Sequence, residues 1–117
     1  VLGAGPNLGW LAAPWLQGRR VAYWGDLDTW GLHMLATARH HLPHLQALLM
    51  DAATFSAHQH LAVAEPVHAP DSACGTLAPD EATLCVHLRT QQKGRLEQEF
   101  VPTNAVHRAV RAWVDGD

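Results

Sequence analysis

The sequence predicts an α/β fold, a parallel sheet flanked by helices, and three observations carry that expectation. Residues 21–24 (Val-Ala-Tyr-Trp) and 46–50 (Gln-Ala-Leu-Leu-Met) are short apolar runs, and each is followed by aspartate within two residues. Between them lies a stretch with helical spacing, and strands separated by a helical crossover pair in parallel and are covered on both faces. The chain has 117 residues, 48% of them hydrophobic and 16% charged, which suits a single domain over 1–117 with one ordinary core.

Taken in order, Val1-Leu2 followed by Gly3 and Gly5 reads as the end of a strand and a tight turn. Residues 7–17 read as a short helix with Leu8, Leu11, Ala12 and Trp15 on one face. Arg19 and Arg20 precede the strand at 21–24. In residues 30–42 the spacing of Gly31, Met34, Leu35, Ala38 and Leu42 predicts a helix stopped before Pro43. The strand at 46–50 gives way to a helix through about His60, and residues 65–79, with three prolines, read as a long loop. Pro79 opens a helix through about Thr90 that turns Leu84, Cys85 and Leu88 inward. From 102 to 114, Val106, Ala109, Val110 and Trp113 form an apolar stripe opposite His107, Arg108 and Arg111.

Composition excludes several classes. The first eighteen residues carry no charge, but Pro6, Pro14 and four glycines interrupt them, so they are not expected to span a membrane. A net charge of −3 provides no global basic field for nucleic acid, so contact with DNA depends on local patches or a partner. Cys74 and Cys85 form no Cys-x-x-Cys pair, and they read as the pattern of a reducing, cytoplasmic compartment with Cys85 a buried small hydrophobe. Nine histidines, including His40-His41-x-x-His44 and His58-x-His60, raise zinc. Without a Glu between paired histidines or a neighbouring cysteine, solvated helix ends suit them better. Gly3-x-Gly5-x-x-x-Gly9 has one residue too many for a dinucleotide fingerprint.

The candidate chemistry lies at Asp26-Leu27-Asp28, directly after the first full strand. On extended backbone, residues i and i+2 point to one side, so both carboxylates aim at one place. In an open α/β sheet that place is the carboxyl end of a strand, where ligands bind. Like charges so close repel unless a cation sits between them, and oxygen-only ligation suits magnesium or manganese. The alternative is that Asp28 or Thr29 caps the next helix while Asp26 is solvated. Asp51 is either a third carboxylate or the N-cap of the helix at Ala52. In Arg95-Leu96-Glu97-Gln98-Glu99, Glu97 and Glu99 are candidate catalytic residues and Arg95 a bidentate phosphate ligand, unless the stretch is a surface ion-pair network.

Tyr23-Trp24-Gly25-Asp26-Leu27-Asp28-Thr29-Trp30-Gly31 resembles the "YWGDIDTHG" signature of the carboxyl-terminal domain of JetD, the nuclease subunit of Wadjet plasmid defence. Leu48-Leu49-Met50-Asp51-Ala52-Ala53-Thr54 is similar to that family's "LLMD-x-x-T" segment, and Arg95 to Glu99 to its "RLEQE" segment, in the same order. The resemblance implies a TOPRIM-like domain with a magnesium site built from a strand-end glutamate and a downstream Asp-x-Asp pair. It also implies a condensin-like defence complex that delivers circular DNA for this subunit to cut. Trp30 stands where the family has His, and Ala78 where it has Thr ahead of the Pro79 helix.

No Asp or Glu occurs in residues 1–25, so the strand that carries the family's glutamate is expected to precede Val1. A TOPRIM-like domain truncated at its N-terminal strand would not cleave DNA by itself, would leave Trp10 or Trp15 exposed, and would tend to form homo-oligomers. In the full-length protein the expected activity is DNA cleavage dependent on Mg or Mn, with Asp26 and Asp28 as metal ligands. Two other classes compete. A haloacid-dehalogenase-type phosphohydrolase would use Asp26 as nucleophile, but Lys93 is the only lysine and no Asp-Asp pair follows it. A non-catalytic interaction module would explain four of five tryptophans within the first thirty residues.

Overall fold

A helix crossing from one parallel strand to the next organises the chain, and a later segment closes over the strand end. In this computed structural model, residues 13–70 and 76–116 are described. The expected strand end at Val1-Leu2, the glycine turn, Trp10 and the first half of the helix at 7–17 lie outside them.

Helix α1, Pro14–Gln17, is a single turn that starts at proline, whose fixed φ suits a first helical position, and stops at Gly18. Strand β1, Ala22–Tyr23, is fully buried. It pairs in parallel with β2, Gln46–Ala47, in the register Ala22 to Gln46 and Tyr23 to Ala47. Backbone bonds from Gln46 N to Val21 O (3.0 Å) and Leu48 N to Tyr23 O (2.8 Å) hold the pair. The crossover is α2, Thr29–His41, which buries Leu32, Leu35 and Ala38 and ends at Leu42. Arg39, His40 and His41 fill its last turn, where positive charge suits the carbonyl end. Parallel pairing and crossover are as the sequence predicts.

Both strands are shorter than their apolar runs. Leu49 takes a left-handed backbone (φ 59°), which turns the chain out of β2 and delivers Met50 to the core. Helix α3, Ala52–Ala57, follows, and a 3-10 turn, Gln59–Leu61, replaces the expected continuation to His60. Helix α4, Pro79–Thr90, packs against α2 and buries Leu84, Cys85 and Leu88, as expected. Ala78 offers no side-chain cap, but Glu81 accepts its backbone N–H (3.3 Å) and also pairs with Arg39 of α2. Cys85 is buried as half of a disulfide, which corrects the reduced thiol expected there. Cysteine spacing alone did not distinguish the two states.

Helix α5, Thr103–Asp115, lays its expected stripe of Val106, Ala109, Val110 and Trp113 half-buried on the body and leaves His107, Arg108 and Arg111 exposed. Arg20 stacks on the Trp113 ring (4.7 Å) and bonds the carbonyls of Trp113 and Val114. Among the described residues no helix is long and apolar enough to cross a membrane. Trp15 is 65% exposed.

Residues 95–96 have no strand signal in the sequence. They nevertheless thread between two other segments as isolated antiparallel bridges, Leu27 with Leu96 and Val63 with Arg95. That threading brings the third acidic segment to the end of β1.

Candidate functional site

Leu27 exchanges both backbone bonds with Leu96, at 2.8 and 3.0 Å, and points into the core at 2% exposure. The pleat therefore turns its neighbours Asp26 and Asp28 to the other side together. Each aspartate divides its oxygens the same way. Asp28 Oδ1 accepts the Gly31 N–H at 2.6 Å as N-cap of α2, and Asp26 Oδ1 accepts the Gln98 N–H at 2.8 Å. Both Oδ2 atoms face Arg95, at 3.4 Å from Nη2 to Asp26 and 3.4 Å from Nε to Asp28. The cap and the convergent pair, opposed as readings of the sequence, are both present because a carboxylate has two oxygens.

Asp28 is 4% exposed, and its pKa is pushed up to about 6. Burial is the main cause, and repulsion from Glu65 and Asp26 adds to it. The Gly31 N–H and Arg95 work in the opposite sense. Tyr23 lies behind the pair with its hydroxyl donating to Gly31 O at 3.0 Å. Burial and the two aspartates hold it above its ordinary range, so it stays a neutral donor. Gly31 is required by space: a Cβ there would lie 1.8 Å from the Asp26 carbonyl oxygen.

Glu65 is the site residue that sequence reasoning missed. Its side chain is 2% exposed. It accepts the Thr29 hydroxyl at 2.7 Å and the Trp30 N–H at 3.3 Å, at the amino end of α2, where negative charge is favoured. Trp30 Nε1 donates to Val67 O (2.8 Å) and Thr29 Oγ1 accepts Ala69 N–H (2.8 Å), so residues 65–69 lie strapped across the start of α2. A lone Glu before Pro66 in a proline-rich loop has no local signal of such a role.

The result is a cleft of about 310 Å³ with an acidic wall of Asp26, Asp28 and Glu65 beside Arg95, and an apolar wall of Trp30, Met34, Pro66 and Val67. Glu97 joins the acidic side through Arg95 Nη2 at 3.3 Å. Glu99 is exposed on the 3-10 turn Gln98–Phe100 and is not among the carboxylates that contact Arg95. Asp51 caps α3 by accepting the Thr54 N–H at 2.8 Å, the second of its two expected roles. Lys93 is exposed and does not line the cleft.

Among the described residues no three His, Cys, Asp or Glu side chains are arranged to hold a metal ion. Asp26 and Asp28 offer two convergent oxygens. Two carboxylates completed by water and phosphate are the usual protein share of a magnesium shell. The Nε of Arg95, between them, is buried without a hydrogen-bond partner, so the place is charged but poorly fitted by the guanidinium. The donor chemistry fits a hard divalent cation.

The family described as Wadjet protein JetD, C-terminal, matches residues 1–110. No curated protein matches the chain.

Proposed function

The chain belongs to the family of Wadjet JetD C-terminal domains, and from that premise we propose that Asp26 and Asp28 form the divalent-cation site of a TOPRIM-like domain that cleaves DNA in plasmid defence. The observation that carries this reading is the convergence of the two Oδ2 atoms on one place while both Oδ1 atoms are held by backbone N–H groups. Carboxylates fixed in this way keep their aim when the charge between them changes.

Asp26 and Asp28 would hold magnesium or manganese, which when bound supplies charge neutralisation on a phosphate oxygen and a more acidic attacking water. Glu65 holds the start of α2, and with it the Asp28 cap, in one orientation. Trp30, Met34, Pro66 and Val67 shield the acidic wall from bulk water on one side, which strengthens electrostatic interactions inside the cleft. Arg95 has the fork to take a phosphate, and Glu97 is the carboxylate beside it. Glu99, being exposed, would meet DNA only at the rim. DNA is the proposed substrate, and the condensin-like subunits of a Wadjet complex are the proposed partners that deliver it.

The test is cleavage of circular plasmid by the native protein with its complex, in Mg²⁺, Mn²⁺ or chelator. Ion-dependent nicking or linearisation that falls to background in Asp26→Asn and Asp28→Asn is the expected result. Ion-dependent hydrolysis of a small phosphate ester with intact plasmid would instead assign a phosphohydrolase. Absence of both activities, with no ion binding, would leave an interaction module.

A further inference from the structure

Arg95 is held by charge more than by fit. It lies 3.4 Å from Asp26, 3.4 Å from Asp28 and 3.3 Å from Glu97. Well-made charge-assisted bonds of this type are about 2.7–2.9 Å long. Its Nε is buried with no hydrogen-bond partner. The short bonds in the cluster belong to other groups, Gly31 N to Asp28 at 2.6 Å and Gln98 N to Asp26 at 2.8 Å. The carboxylates therefore stay in place whether or not the guanidinium is among them.

The Arg95 main chain is locked, with N–H to Val63 O at 2.9 Å and O from Val63 N–H at 2.8 Å, so any movement is confined to the side chain. That side chain is 30% exposed and lines the open cleft, which gives it a way out. Among the described residues, four carboxylates, Asp26, Asp28, Glu65 and Glu97, gather around the Arg95 guanidinium, with His68 at 3.7 Å from Glu65 on the outer side. A divalent ion would bring one more positive charge to the same place.

We infer that Arg95 is an exchangeable counter-cation: without the divalent ion its guanidinium occupies the place between Asp26, Asp28 and Glu97, and the ion displaces it into the cleft. The inference rests on the cation site proposed above. It adds that the ion and Arg95 compete for that site, so the docked arginine weakens ion binding.

Calorimetric titration of the metal-free protein with Mn²⁺ tests the competition. Arg95→Gln is expected to bind Mn²⁺ at least about fivefold tighter than wild type, the lower end of ordinary coupling between two binding events. Wild type that binds Mn²⁺ beside a variant that binds no tighter would overturn the exchange and leave the cation site standing. Absence of binding in both would remove the site and the exchange together. Should Arg95→Gln fail to fold, wild-type protein suffices: the Arg95 Nε–H resonance, followed by ¹⁵N NMR, is expected to exchange rapidly with solvent once Mg²⁺ saturates the protein. An Nε–H that stays protected at saturating Mg²⁺ would overturn the inference.

Discussion

Thr29 and Glu65, 36 residues apart, share a hydrogen bond of 2.7 Å at the amino end of α2, and the same hydroxyl accepts the Ala69 N–H. One side chain thus fastens a proline-rich loop to the helix that Asp28 caps. Thr29→Val keeps the shape and removes both bonds, leaving the buried Glu65 carboxylate with the Trp30 N–H and, at 3.7 Å, His68. The expected cost is about 2–3 kcal/mol, the range for stranding a buried charged acceptor, read from urea unfolding. A change below about 0.5 kcal/mol would show that the loop is held by other contacts.

Asp28 makes the stability of the metal-free protein depend on pH. Its pKa rises from 3.8 unfolded to about 6 folded, so between those values the folded state keeps a proton that the unfolded state has lost. Stability from this group is full below about pH 4 and is lost as pH rises through 6, by on the order of 2–3 kcal/mol. Asp28→Asn keeps an oxygen for the Gly31 N–H and removes the titration. The wild-type-minus-variant difference in unfolding free energy is expected to fall between pH 4 and 6.5, and a flat difference would refute the assignment.

Gly31→Ala would bring a methyl group to 1.8 Å from the Asp26 carbonyl oxygen, a backbone atom that cannot yield without moving the pair. The expected loss is about 3 kcal/mol or more. Divalent-cation binding is expected to vanish with it, because the same shift misaims Asp26. Thermal unfolding and Mn²⁺ titration of the variant check both.

Arg20→Ala removes the stacking on Trp113 and the bonds to the last carbonyls of α5. A cost of about 1–2 kcal/mol is expected, with hydrogen exchange accelerated in α5 and unchanged in α2. Faster exchange in α2 as well would mean that α5 supports the core and not only its own docking.

Much of the scaffold was legible. The crossover helix, the Pro79 helix with its inward Leu84, Cys85 and Leu88, and the half-buried stripe of the last helix all follow from apolar spacing, which is a local property. Strand lengths were not legible, because apolar content marks Leu48, Leu49 and Met50 as strand while the left-handed turn at Leu49 depends on where the next helix must start. The site was half legible: Asp26 and Asp28 share a side by the period of the backbone, and Arg95 with Glu97 stood out as charged residues beside apolar ones.

By itself, then, the sequence determined the Asp-x-Asp pair at a strand end, which rests on neighbours within a few residues, and the family to which the chain belongs, which rests on separate segments in a shared order. Only the tertiary structure decided that Arg95 neutralises that pair, that Glu65 closes the helix start, and that Glu97 faces the cluster while Glu99 faces solvent. Those relations depend on residues 95–96 pairing with Leu27 on one side and Val63 on the other. Two-residue bridges between distant segments leave no periodic trace, because the hydrogen bonds that make them are carried by backbone groups every residue has.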